Sequence, residues 1–200
     1  MLSYDANAAV AMYCSQNPKT SKPVRDGLAA LLEFLVEDSD LDDKRWAAYM
    51  LATIRHECAG RWLPIEEFGK GKGKPYGEPV TVVDSDGTRF VNTYYGRGYV
   101  QLTWKANYQI MGQALGLGNL LVLHPEHALE PQTAYKIMSL GMRKGLFTGK
   151  KLGDYVNAAT CDYFNARRII NRLDQAATIQ SYAQQFEGLL GNSLPAQATG

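Results

Sequence analysis

Apolar residues recur at helical spacing in several separate segments of this 200-residue chain, and this repetition constrains the fold more than any other feature. The pattern predicts helices over residues 24–36, 42–58, 105–115, 131–147 and 176–190. An S-x-x-D capping pattern from Ser39 to Asp42 precedes the second helix, and Gly60 is a plausible stop. One stretch differs, because "VTVV" and "TRFV" flank "DSDG" and predict a hairpin. We therefore expect a mainly α domain with one small β-hairpin.

The overall composition favours a single domain. Residues that count as hydrophobic make up 46% of the chain, and no repeat or linker divides it, so we expect one catalytic domain over residues 1–190 and a flexible tail over 191–200. A formal net charge of +1 gives no long-range field that would recruit nucleic acid. The N-terminal segment lacks the features of a secretory signal, and no stretch is long enough to span a membrane. Cys14, Cys58 and Cys161 show no pairing pattern, so we expect reduced thiols.

The most informative carboxylate lies in the segment "RHECAGRWLPIEEFGKG". In a helix, Glu57 falls on the same face as the apolar residues Trp46 and Ile54. Partial burial there would favour the protonated carboxyl, which is the form that a general acid needs. The alternatives are a pair with Arg55 or Arg61, or a frayed helix end that exposes the carboxylate.

Two more carboxylates, Glu66 and Glu67, follow Pro64 on a segment that must leave the helix axis. They could therefore face Glu57 across a groove. An inverting glycosidase requires such an acid and base, with the two carboxyl groups roughly 6.5–9.5 Å apart. The sequence alone does not supply this distance.

Other chemistries fit the residues less well. The segment "HECAG" begins like a zinc motif but has Gly60 at the second histidine position, and a zinc site of His56, Cys58 and Cys161 is less favoured than buried thiols. "GKGKGKPYG" lacks the residue order of a phosphate-binding loop and indicates a mobile basic loop beside a groove. Catalysis by Cys58 is the weakest alternative, and we expect neither a metal nor a cofactor.

The segment from residue 92 to 108, "NTYYGRGYVQLTWKANY", has the composition of a sugar-binding groove. Aromatic faces can stack on pyranose rings, amides and hydroxyls can bind their substituents, and glycines permit close approach of the backbone. Taken singly, Tyr99, Trp104 and Tyr108 are more typical of a core. The interleaved Arg97, Gln101, Thr103 and Asn107 are harder to explain as core residues.

Taken together, "HECAGRW", "YYGRGYVQLTWKANY" and "ARRIIN" resemble the family-nineteen glycoside hydrolases, the chitinase and endolysin group with a lysozyme-like helical fold. The resemblance covers residues 46–171. It implies that Glu57 is the general acid and that Glu67 is the base, with Glu66 as the alternative. It also implies that Thr103 holds the attacking water. The sugar ligands and groove neighbours that it implies are His56, Tyr95, Gln101, Asn107 and Asn171.

The departures from the plant chitinases bear on the substrate. This chain has "AGR" where those enzymes have "TGG", and it lacks their disulfides and extra loops. It looks more like a phage endolysin that cleaves the β-1,4 bond between N-acetylmuramic acid and N-acetylglucosamine. We expect peptidoglycan strands as partner and a monomer without stable membrane insertion, made in the host cytoplasm and released to the periplasm with the help of a holin. A chitinase and a non-catalytic glycan-binding module are the alternatives.

Overall fold

The computed structural model describes residues 2–193, which form two compact units. Residues 2–63 and 152–193 make up the first unit, and residues 64–151 make up the second. The predicted single catalytic domain over residues 1–190 stays a prediction. Within residues 2–193, none of the helices is long and apolar enough to cross a membrane.

The chain is mainly helical, as the sequence predicts. In chain order, the α-helices are α1 (Ala6–Gln16), α2 (Lys22–Glu37), α3 (Lys44–Glu57), α4 (Lys105–Ala114), α5 (Leu120–Leu123), α6 (Pro131–Lys144), α7 (Tyr163–Ala166) and α8 (Ala176–Asn192). The strands are β1 (Ile65–Glu66), β2 (Val80–Val83), β3 (Arg89–Asn92) and β4 (Arg97–Gly98). Short 3₁₀ turns span Pro75–Gly77, Pro125–Leu129, Leu152–Asp154 and Arg167–Ile169.

The first unit is built around the packing of α3 against α8. An aromatic cluster fills its core, where the Trp62 ring stands edge-on to both Tyr13 of α1 and Phe186 of α8. The indole nitrogen of Trp62, which is fully buried, lies 3.3 Å from the Tyr13 hydroxyl oxygen. This cluster fixes the chain immediately after α3, the helix that carries Glu57.

The second unit holds both small strand pairs. The hairpin pairs β2 with β3 in antiparallel register from Val80 with Asn92 to Val83 with Arg89, which confirms the predicted hairpin. A second, two-residue antiparallel pair joins β1 to β4, with Glu66 opposite Arg97. Because side chains alternate along a strand, this pairing sends the carboxylates of neighbouring residues 66 and 67 to different partners.

The observed helix boundaries differ from the predicted ones by at most three residues, and two of these differences change a predicted feature. The side chain of Asp43 caps α3 by accepting a hydrogen bond from the Arg45 amide, so the capping pattern from Ser39 to Asp42 is not the cap that forms. At the other end, α8 continues to Asn192, and the Ser193 hydroxyl donates to the Leu189 carbonyl within the core. The predicted tail thus does not begin at residue 191, and its remainder, residues 194–200, lies outside the described residues.

Candidate active site

Glu57 is the last residue of α3, in the first unit, and it is held by a buried arginine. Its Oε1 accepts a hydrogen bond of 2.8 Å from Nη1 of Arg167, whose side chain is 2% exposed, against 18% for Glu57. The Arg167 Nε donates to the carbonyl of Asp174. The sequence offered Arg55 and Arg61 as possible partners of Glu57, and in the structure its ion-pair partner is Arg167 instead.

The other predicted residues of the first unit have looser surroundings. His56 is half-buried and lines a surface pocket with Tyr13, Arg55, Ala59, Gly60 and Tyr182. Asn171 is exposed, its amide donates to the Arg167 carbonyl, and its side-chain oxygen accepts from the Arg172 amide. Asn171 is therefore linked to Arg167 through the backbone, and its predicted role as a sugar ligand stays a prediction.

Glu67 lies in the second unit, directly after β1, and two uncharged donors hold its carboxylate. The Tyr76 hydroxyl donates to Oε1 at 2.9 Å, and the Gly96 amide donates to Oε2 at 3.0 Å. The Glu67 amide returns a bond of 2.7 Å to the Gly96 carbonyl, so backbone and side chain are both fixed against the same residue. Donation to this carboxylate raises the pKa of the Tyr76 hydroxyl.

Glu66 has a different environment from its neighbour. Its carboxylate pairs with Lys70 at 2.8 Å and accepts a bond of 2.5 Å from the Tyr95 hydroxyl. The hydrogen bond from Lys70, followed by that from Tyr95, holds the pKa of the Glu66 carboxyl below its ordinary value. Glu66 is thus an ionised partner of a lysine, and the predicted groove neighbour Tyr95 binds Glu66.

The polar residues of the segment from 92 to 108 mostly hold one another. Gln101 donates both amide hydrogens to backbone carbonyls, those of Ile65 and Gly98. The Thr103 hydroxyl donates to the Gln101 backbone carbonyl, and the side-chain Nδ2 of Asn107 donates to the Thr103 backbone carbonyl. The Thr103 hydroxyl oxygen can still accept a hydrogen bond from water.

The backbone of this segment is strained on both sides of Thr103. Gln101 has φ +54° and Trp104 has φ +77°, a region that residues with a Cβ rarely adopt. Such strain persists where the surroundings determine it, often at functional sites. Here the bonds of Gln101 and the hydrogen bond from the Trp104 amide to the Tyr94 carbonyl hold it in place.

The glycines of "YYGRG" serve the protein's own packing. The Gly96 amide reaches the Glu67 carboxylate, and a Cβ at this position would lie 2.8 Å from the Gln101 side-chain oxygen. A Cβ at Gly98, where φ is +87°, would lie 2.8 Å from the Ala128 carbonyl oxygen. We predicted that these glycines let a sugar approach the backbone, but in the structure the atoms close to both glycines belong to the protein.

The exposed fractions of the side chains in this segment test which of its aromatic residues belong to the core. Tyr99 and Tyr108 are buried, as expected. Trp104 is 49% exposed and stands edge-on to Tyr76, so its assignment to the core is wrong. Arg97, expected in the groove, is buried with its guanidinium 3.7 Å from the centre of the Tyr95 ring.

The thiol and metal alternatives find no support in the geometry. Cys58 is fully buried, and burial raises the pKa of its thiol to about 12, so it does not supply a thiolate nucleophile. Among residues 2–193, no group of three or more His, Cys, Asp or Glu side chains could hold a metal ion. Within residues 2–193, Cys14, Cys58 and Cys161 form no disulfide.

Sequence reasoning did not find two residues that hold the candidate catalytic glutamates. Arg167 stands in the quoted "ARRIIN", four residues before Asn171, and lies 110 positions from Glu57. Tyr76 is the penultimate residue of "GKGKGKPYG", the segment that the sequence excluded as a phosphate-binding loop. Neither contact has a local signal, because each depends on the chain returning to the glutamate from a distance.

The similar proteins described here are all chitinases. Chitinase 6 of Oryza sativa subsp. japonica is 30% identical over 156 residues, which is 72% of this chain and 54% of that protein. An endochitinase of Arabidopsis thaliana is 38% identical over 94 residues, 46% of this chain and 30% of that protein. The structure of chitinase C from Streptomyces griseus HUT6037 matches with a TM-score of 0.60 at 23% identity, covering 93% of this chain and 78% of that one. The chain is similar in sequence to plant chitinases, and its fold matches that of a bacterial chitinase.

The similarity to these chitinases covers only part of each sequence. No family model matches the chain. The chain spans no more than about half the length of the curated relatives named above. The predicted mainly α, lysozyme-like fold is confirmed. The predicted enzyme class, glycoside hydrolase, belongs to the proposal below. The substrate and the roles of Glu57, Glu67 and Thr103 stay predictions.

Proposed function

We propose that this protein is a peptidoglycan glycosidase that hydrolyses the β-1,4 bond between N-acetylmuramic acid and N-acetylglucosamine by inversion. Glu57 is the general acid, and Glu67, together with Thr103, activates water. One observation carries the proposal: on the fold of a chitinase relative, Glu67 is held by two uncharged donors, whereas its neighbour Glu66 is paired with Lys70.

The environment of Glu57 suits a carboxyl that gives up a proton. Arg167 engages only Oε1, so the other carboxyl oxygen can carry the proton to the glycosidic oxygen. Once the proton has left, the buried guanidinium stabilises the carboxylate charge that develops. Arg167 is therefore a positioning residue for Glu57.

The environment of Glu67 suits a base. Its carboxylate oxygens accept from Tyr76 and Gly96, and each oxygen retains lone-pair capacity for a water molecule. Thr103 offers a hydroxyl oxygen as a second acceptor for that water. Glu66, in contrast, would have to break its pair with Lys70 to serve as the base, which favours Glu67 between the two.

Chitin is the second candidate substrate, because the relatives named above are chitinases. It contains the same β-1,4 linkage without the lactyl ether and peptide of muramic acid. The reaction and the roles of Glu57, Glu67 and Thr103 would be unchanged. Only the recognition of the sugar substituents differs between the two candidates.

The endolysin role belongs to the same proposal. The resemblance of the sequence to phage endolysins supports a monomer that is made in a host cytoplasm and that reaches the wall in the periplasm through a partner such as a holin. The remaining predicted ligands, His56, Tyr95, Gln101, Asn107 and Asn171, would contribute to strand binding.

Digestion of purified Gram-negative sacculi and of chitin oligomers, followed by borohydride reduction and mass spectrometry, tests the proposal. We expect soluble fragments with reduced N-acetylmuramic acid ends from sacculi, at a higher rate than cleavage of chitin. Reduced N-acetylglucosamine ends or anhydro ends would contradict the proposed bond or reaction. Cleavage of chitin alone would replace peptidoglycan with the second candidate.

A further inference from the structure

Residues 68–77 form a loop, here called the lysine loop, that carries three positive charges beside the proposed base. Three lysines alternate with three glycines from Gly69 to Lys74, and the loop contains no acidic residue. All three glycines have positive φ, between +72° and +83°. The alternation is therefore a conformational requirement of the loop as well as a charge pattern.

The loop is a series of hydrogen-bonded turns. The amides of Lys70, Lys72 and Lys74 donate to the carbonyls three positions earlier, at 2.9–3.0 Å. The loop closes where Gly71 meets Gly77, because a Cβ on Gly77 would lie 2.0 Å from the Gly71 carbonyl oxygen. These contacts define the paths of the lysine backbones and therefore where their side chains start.

Both ends of the loop are attached to Glu67. The loop begins at the next residue, and the Lys70 amide donates to the Glu67 carbonyl. It returns through Tyr76, whose hydroxyl donates to the Glu67 carboxylate. Lys74 is two residues from Tyr76, a backbone separation of at most about 7 Å. The backbone of the lysine loop thus starts and ends beside the proposed base.

The three lysines differ in their partners. Lys70 is neutralised by Glu66. Lys72 and Lys74 are exposed, and within residues 2–193 neither makes an ion pair or a side-chain hydrogen bond. The loop therefore presents two ammonium groups that are free to bind an anion from outside the chain.

We infer that Lys72 and Lys74 are specificity-determining residues that bind carboxylates of the peptide-bearing wall glycan. This inference rests on the proposed function. Chitin carries no carboxylate, whereas muramic acid carries a lactyl group that ends in a free carboxylate or in an acidic stem peptide. Two ammonium groups beside the base would favour the charged polymer and contribute little to the neutral one.

The test compares K72Q/K74Q with K136Q/K150Q, a control that removes two exposed lysines of the same unit outside the loop. Each variant is assayed on sacculi and on chitin hexamer, at low and high salt. For K72Q/K74Q we expect the ratio of the sacculus rate to the chitin rate to fall about three- to tenfold, as loss of two exposed charge pairs typically gives. The salt dependence on sacculi should weaken at the same time.

An unchanged ratio, or an equal fall in the control, would overturn the inference. Glycan strands stripped of peptides by an amidase separate the two carboxylate sources. The amidase frees the lactyl carboxylate, so a ratio that stays low on stripped strands shows that this carboxylate is sufficient, and a ratio that recovers shows that the carboxylates of the stem peptide are required. Both results support a carboxylate site.

Failure of the proposed function has a separate signature, which is an absence of sacculus cleavage by the wild-type protein. Co-sedimentation of the proteins with sacculi then decides the inference, because binding does not require cleavage. Weaker sedimentation of K72Q/K74Q than of K136Q/K150Q would support it. Equal sedimentation would overturn it.

Discussion

Glu66 and Glu67 are adjacent in sequence, yet their carboxylates have different partners. Glu66 is bound by a lysine and a tyrosine, and Glu67 by a tyrosine and a backbone amide. The difference follows from the alternation of side chains at the end of β1, which pairs with β4. At this scale, one carboxylate serves structure, while the other remains available for chemistry.

The ion pair of Glu66 predicts a pH dependence of stability. Because the pKa of Glu66 is lowered in the folded protein, its contribution is present above the ordinary carboxyl range, about 4.3, and is lost as pH falls through the lowered value. We expect the Tm of the wild-type protein to fall more steeply in acid than that of Glu66→Gln. Thermal melts from neutral pH down to about pH 3 measure this. Glu33→Gln, at an exposed site on α2, is the control and should follow the wild type.

The hydroxyl of Tyr76 predicts an effect on turnover. Tyr76→Phe removes one of the two donors that hold Glu67, and hydrogen bonds to charged groups contribute about 1.5–3 kcal/mol. We expect kcat to fall about tenfold or more with little change in KM, because orientation of the base is lost and strand binding is not. Steady-state kinetics on a soluble wall fragment provide the measurement, and Tyr155→Phe, at a half-buried tyrosine of the first unit outside the residues named for the site, provides a control for loss of a tyrosine hydroxyl. A rise in KM at constant kcat would show that Tyr76 binds substrate instead.

The elements illustrate which parts of a fold have a local signal. The helices α2, α3, α4, α6 and α8 and the hairpin of β2 and β3 are predicted because each is long enough to show a period. The four-residue helices α5 and α7 and the two-residue strands β1 and β4 are too short for that. Helix α1 was also missed, since the small residues of "ANAAVAMYCSQ" give little contrast between faces. The β1–β4 pair, which arranges the proposed base, is thus invisible in the sequence.

Two glycines within helices predict opposite effects on stability. Gly27 in α2 packs against the backbone of Trp62, because a Cβ on Gly27 would lie 2.5 Å from the Trp62 carbonyl oxygen. A Cβ on Gly188 in α8 would have no atom within 4 Å. Gly188→Ala should raise the free energy of unfolding by up to about 1 kcal/mol, the difference in helix propensity. Gly27→Ala should lower it, because α2 must move away from Trp62. Urea unfolding of both variants provides the measurement, and a change of the same sign in both would contradict the packing described here.

At the scale of the whole molecule, the candidate functional residues could be predicted from the sequence, whereas most of their contacts could not. The motifs quoted above predicted the likeness to chitinases, and the segment from residue 55 to 71 predicted the three candidate carboxylates, since both depend on residue type and order. Arg167 and Tyr76 were missed because each reaches its glutamate through the fold of its own unit. The separation between Glu57 and Glu67 stays a prediction, because the two residues belong to different units.

The claim that Glu57 is the general acid is tested most directly by Glu57→Gln. The glutamine keeps an oxygen that can accept the bond from Arg167, so the variant should fold, with some loss of Tm from the lost ion pair. We expect the rate of sacculus hydrolysis to fall by about 10² to 10⁴, the usual contribution of general acid catalysis, while circular dichroism remains that of the wild type. A folded Glu57→Gln protein that hydrolyses sacculi at the wild-type rate would contradict the account.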